Sequence, residues 1–185
     1  MRLASAQDSG LVVIDLQPSF LKVVPNAEAI VRRSEFLIRI AKILEIPVLF
    51  TEQNPDRMGG SEARIADAIG GEPIAKLAFG CCGESRFNDA WRALGRSAAV
   101  LVGIETHICV TQTALALRDQ GTTVFLPVDA VAGRHQQGHD VALRRLELNG
   151  VQLTHTESVV YEWLGSSNHP RFREALEIVK AYPVS

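Results

Sequence analysis

Short β-branched and aliphatic runs alternate along this chain with segments whose apolar residues recur at helical spacing. That alternation restricts the fold more than any other feature, because strand–helix–strand units pack as a parallel sheet covered on both faces. The run LVVIDL at residues 11–16 reads as a strand, and Pro18 marks the loop after it. Residues 26–44 read as a helix, with Ile30, Phe36, Leu37, Ile40, Ala41 and Leu44 on one face and Asn26 at the cap position. Further strands are expected at residues 46–51, 74–79, 98–102, 122–128 and 151–154. Helices are expected at 62–69, 86–94, from about Cys109 to Gly121, and at 138–148, 158–164 and 170–181; residues 52–60 read as a polar, Gly-rich loop. Right-handed crossovers then give a three-layer α/β/α, doubly wound sheet of six mostly parallel strands in the order 3-2-1-4-5-6. No repeat or linker divides the chain, so residues 1–185 are expected to form one domain.

In such a sheet, ligands bind beyond the carboxyl ends of the strands, where the winding reverses. Three reactive side chains obey that rule. Asp15 ends strand one, Lys76 lies in strand three, and Cys109 follows strand four across the short polar turn 103–107. Strands one and four are neighbours at the switch point, so Asp15 and Cys109 can meet, with Lys76 arriving from the side. Singly, each has a structural alternative: a buried small hydrophobe for Cys109, a loop cap for Asp15, a solvated charge for Lys76. Together they describe a cysteine nucleophile, a carboxylate that takes its proton and returns it to a leaving group, and a cation that orients the carboxylate. A helix start and a lysine beside Cys109 predict a thiol more acidic than usual.

These residues carry a resemblance. The segments VIDLQPSF (13–20), Lys76 with Phe79, GIETHICV (103–110) and VDA (128–130) resemble, in order, the isochorismatase-like cysteine hydrolases. The TEQNP segment at 51–55 is most similar to the subgroup named isochorismatase-domain-containing proteins. The resemblance implies an Asp15–Lys76–Cys109 triad and a non-proline cis peptide before Glu105. It also implies an oxyanion hole formed by the backbone N–H groups of Glu105 and Cys109. The implied reaction is cleavage of a small amide, or a related C–N or ester bond, through a thioester. Phe20, Gln53, Phe79 and His107 are the expected pocket walls. The metal-binding Asp-x-His of nicotinamidases has no counterpart in the loop after strand two, and no histidine precedes His107, so neither a metal nor another cofactor is expected. His135 and His139 have i,i+4 spacing but no evident third ligand. Members that cleave isochorismate lack the cysteine, which argues against that reaction here. A dinucleotide site is excluded by the absence of glycine after strand one. A catalytically weak member acting as an interaction scaffold is the alternative.

Composition bears on partners. Net charge is −2, so neither nucleic acid nor an acidic membrane is an expected partner. Three irregularly spaced cysteines, among them the adjacent Cys81 and Cys82, fit a reducing compartment. The first eight residues lack a signal-peptide core, and a cytoplasmic protein is expected. By resemblance alone the chain is expected to form a homo-oligomer, a dimer or tetramer.

Overall fold

A computed structural model describes residues 3–182; Met1, Arg2 and residues 183–185, the two ends of the expected domain, lie outside the described residues. In chain order the elements are β1 (Ser9–Ile14), α1 (Pro18–Leu21), α2 (Ala27–Ile43), β2 (Val48–Gln53), α3 (Pro55–Met58), α4 (Ala63–Ile69), β3 (Ile74–Lys76) and α5 (Ser85–Leu94). They continue with β4 (Ala98–Ile104), α6 (Thr111–Asp119), β5 (Thr123–Pro127), β6 (Val131–Ala132), α7 (Gln136–Leu148), β7 (Gln152–Thr154), α8 (Thr156–Leu164) and α9 (Phe172–Ala181). The sheet order is β3-β2-β1-β4-β5-β7, with β6 paired to β4, and every pairing is parallel. The expected α/β architecture and strand order hold, the sixth predicted strand being β7. The two-residue β6 adds a seventh that is too short to show periodicity.

The central strands are buried on both faces, and their alternate residues feed two separate cores. Leu11 and Val13 of β1, with Val100 and Val102 of β4, pack in one cluster with Phe36, Leu37 and Ile40 of α2. Val12, Ile14, Ala99 and Leu101 pack in the other, with Phe87 and Trp91 of α5 and Ala114 and Leu117 of α6. This is why these runs read as continuous apolar stretches rather than alternating ones. Two prolines start short helices inside segments expected to be loops: Pro18 opens α1 and Pro55 opens α3, each at a position where a missing N–H costs nothing. Strand β3 stops at Lys76 instead of reaching Phe79, and the chain then turns so that the Ala78 and Phe79 carbonyls face the Lys76 ammonium.

At the switch point β1 and β4 run in register, Ile14 opposite Gly103. Gly103 has φ +121°, and a Cβ there would lie 2.1 Å from the Ile14 carbonyl oxygen. Gly103→Ala is therefore expected to cost about 2–3 kcal/mol of stability, from backbone strain and displacement of β1. Urea unfolding of the two proteins checks this; an unchanged midpoint would show that the strands part freely.

Candidate active site

Asp15 follows β1 in the left-handed region (φ 52°), a conformation few non-glycine residues adopt. Its backbone N–H donates to Thr51 O at 3.2 Å, and Thr51 Oγ1 donates to Asp15 Oδ1 at 2.8 Å. The carboxylate is thus pinned beyond the sheet edge and is buried. Lys76, also buried, places Nζ 2.7 Å from Asp15 Oδ2. Three acceptors surround the same ammonium: Gln53 Oε1 at 2.6 Å, Phe79 O at 2.8 Å and Ala78 O at 3.3 Å. They match its three N–H groups, so Oδ2 receives the charge of Lys76 without a directed hydrogen bond and keeps a lone pair for another donor. Gln53 is itself fixed, since its amide donates to Leu77 O while its backbone N–H donates to Gln17 Oε1.

Cys109 approaches from β4. The peptide Ile104–Glu105 is cis, and residues Thr106–Val110 form one π-helical turn before α6 begins. The carbonyls of this turn are tied down: Thr111 Oγ1 donates to Thr106 O at 2.6 Å and Thr113 Oγ1 to Cys109 O at 2.7 Å. Glu105 is anchored through its side chain, accepting from Arg134 N–H at 2.9 Å and from Arg134 Nη1 at 2.7 Å. Cys109 therefore lies within a helical run rather than at its first residue.

A cavity of ≈ 280 Å³ opens onto these groups, lined by Asp15, Phe20, Gln53, Phe79, Ile104, Glu105, Ile108, Cys109 and Arg134. The expected walls Phe20, Gln53 and Phe79 are brought together there. His107 is not. It points to the other side of the π turn, packed so closely by Gly133 and Gly138 that a Cβ at either would meet its ring at 2.8 Å and 3.3 Å. There it lines a separate hollow under α7. Adjacent residues of a helical turn point about 100° apart, so sequence proximity to Cys109 was a poor guide to its direction. Thr51, Ile104, Ile108 and Arg134 belong to the site but were not expected. The first three are ordinary residues of strand or helix, and Arg134 arrives from the short loop after β6. A larger hollow, ≈ 780 Å³, lies beside β7; its lining contains no cysteine, whereas the smaller cavity brings Cys109 and Asp15 together. Among the described residues no group of three or more His, Cys, Asp and Glu is placed to hold a metal ion. His139 instead shares a 2.9 Å hydrogen bond with Thr106 Oγ1, and burial lowers its proton affinity.

The electrostatics correct one expectation. Burial first, then the adjacent Asp15 charge and a hydrogen bond to it, push the Cys109 thiol up to about 12, against a smaller downward pull from Lys76. The helix start cannot offset this, because the π turn sets Cys109 back from it. Cys81 is raised to about 11 and Cys82 to about 12, both chiefly by burial. Cys109 is thus held as a thiol beside Asp15.

Known proteins resemble the chain in both sequence and fold. The family model described as "Isochorismatase domain" matches residues 9–158. Isochorismatase domain-containing protein 2 of Pongo abelii is 34% identical over 170 residues, covering 92% of this chain and 82% of that protein. The structure described as MAR1 ribonuclease from Caenorhabditis elegans superposes with a TM-score of 0.92 at 31% identity, over 99% of this chain and 95% of that one. The YcaC product of Escherichia coli, described as an octameric hydrolase of unknown specificity, gives a TM-score of 0.91 at 20% identity, over 98% and 91%.

Proposed function

Because this chain belongs to the isochorismatase family of hydrolases, we propose that it is a cysteine hydrolase cleaving a small amide, or a related C–N or ester bond, through a thioester. The observation that carries the proposal is the convergence of Cys109, Asp15 and the buried Lys76 on a single small cavity. Cys109 Sγ attacks the carbonyl carbon as its proton passes to Asp15 Oδ2. The N–H groups of Glu105 and Cys109 hold the resulting oxyanion. Collapse breaks the C–N bond, and Asp15 returns the proton to the departing amine. Water then attacks the thioester, giving its proton to Asp15, and Cys109 leaves and is reprotonated. Lys76 keeps Asp15 oriented and charge-balanced throughout. No step requires a metal or another cofactor.

Phe20, Phe79, Ile104 and Ile108 favour a small substrate with an apolar body. RNA fits this site less well. Lys76 is buried against Asp15, and the charge of Arg134 is balanced by the adjacent Glu105, so the cavity offers a phosphate no unpaired cation. No helix among the described residues is long and apolar enough to cross a membrane. The cysteine usage favours a cytoplasmic location and the octameric YcaC product of Escherichia coli favours a homo-oligomer. A panel of small amides and esters, quenched in acid and read by peptide mass spectrometry, tests the proposal. The expected result is an acyl adduct on Cys109 that survives acid and is lost to hydroxylamine, with turnover surviving exhaustive chelation. Turnover that chelation abolishes and added metal restores, or an adduct on another residue, would overturn it; a panel that acylates nothing favours the scaffold role.

A further inference from the structure

Cys81 is a buried thiol that this reaction does not use, yet it lies behind the proposed base. Its Sγ–H points to Thr51 Oγ1 at 3.8 Å, and the same Thr51 hydroxyl donates to Asp15 Oδ1 at 2.8 Å. The Cys81 backbone is held in turn by Thr113, whose hydroxyl accepts from Cys81 N–H at 3.0 Å and donates to Cys109 O at 2.7 Å. Cys81, which backs the Thr51 hydroxyl, thus hangs on the same residue that bonds the Cys109 carbonyl.

We propose that Thr51, backed by Cys81, is a positioning residue that holds Asp15 in its charged, proton-accepting form with Oδ2 turned to Cys109. The inference rests on the reading of Asp15 as the base. The Thr51 hydroxyl has one proton. With Cys81 S–H donating to its oxygen, that proton is directed to Asp15 Oδ1, which leaves Oδ2 as the oxygen that takes the thiol proton. A hydrogen bond to a carboxylate stabilises its ionised form, so losing the Thr51 hydroxyl weakens the acceptor that Cys109 needs. The other titratable groups facing Asp15 are Lys76 from β3, Cys81 from the turn after it, and Cys109 from the π turn.

The test needs no substrate. The rate of iodoacetamide alkylation of Cys109 is followed by peptide mass spectrometry from mildly acidic to alkaline pH. Thr51→Val, which keeps the side-chain shape, is expected to move the acidic limb of that profile to higher pH by about one unit, the effect of losing one charge-assisted hydrogen bond. Thr51→Ser, which keeps the hydroxyl, should leave the limb in place, and Cys81→Ala should move it the same way by less. A Thr51→Val profile that is scaled but unshifted, or a Thr51→Ser profile shifted as far as Thr51→Val, overturns the inference; an unshifted Cys81→Ala profile removes Cys81 from it. Asp15→Asn is the control. If it leaves the profile of wild type unaltered, the reading of Asp15 as base fails; if it alters the profile and Thr51→Val does not, only the present inference fails.

Discussion

Replacing Cys109 by alanine is expected to abolish hydrolysis, lowering kcat by about 10⁴-fold or more on any substrate the wild type turns over, as removal of a covalent nucleophile does elsewhere. The fold should be untouched. Cys109 is a small side chain bordering a cavity, and its removal leaves the Glu105–Arg134 pair and the Thr111 and Thr113 ties of the π turn in place. Asp15→Asn is the informative companion. The carboxamide would keep the size but lose the ion pair with Lys76, and it could not accept a proton, so the raised Cys109 thiol would have no partner to receive it. Loss of a general base typically costs about 10²–10⁴-fold. Steady-state kinetics and acid-quench mass spectrometry on both variants separate the roles: neither should accumulate acyl-enzyme. A Cys109→Ala protein with wild-type turnover would sink the nucleophile assignment, whatever Asp15→Asn does.

The sequence carried the scaffold of this site more fully than its interior. Asp15, Lys76 and Cys109 were legible because Asp15 and Lys76 stand at strand ends, Cys109 follows one across a short turn, and parallel topology sends all strand ends to one edge. Phe20, Gln53 and Phe79, expected as pocket walls, line the same cavity. His107 did not line the cavity, because a π turn rotates side chains differently from a simple loop and no local pattern announces one. Arg134 was invisible for another reason. It reaches Glu105 from 29 residues away, after a two-residue strand without periodicity. Thr51 reads as a typical β-branched strand residue, and only its register opposite Ile14 shows that its hydroxyl meets Asp15. The charge balance at Cys109 also escaped, since desolvation depends on how completely the surrounding walls close.

Lys76→Met carries the largest expected loss of stability. Side-chain exposure is 0% for Lys76 and 2% for Asp15, so the wild-type pair is wholly withdrawn from water. Removing one partner of a buried pair leaves an uncompensated charge, at a cost of about 3–5 kcal/mol. Methionine fills most of the space, so the loss would be electrostatic rather than a cavity effect. Asp15→Asn combined with Lys76→Met removes both charges and should recover part of the loss, the remainder being the cost of leaving Gln53 Oε1, Ala78 O and Phe79 O without the Lys76 donor. Urea unfolding of the four proteins near neutral pH measures all of this. If Lys76→Met is as stable as wild type, or if the double variant is no more stable than Lys76→Met, then the stability of the interior does not depend on the pairing of Lys76 with Asp15.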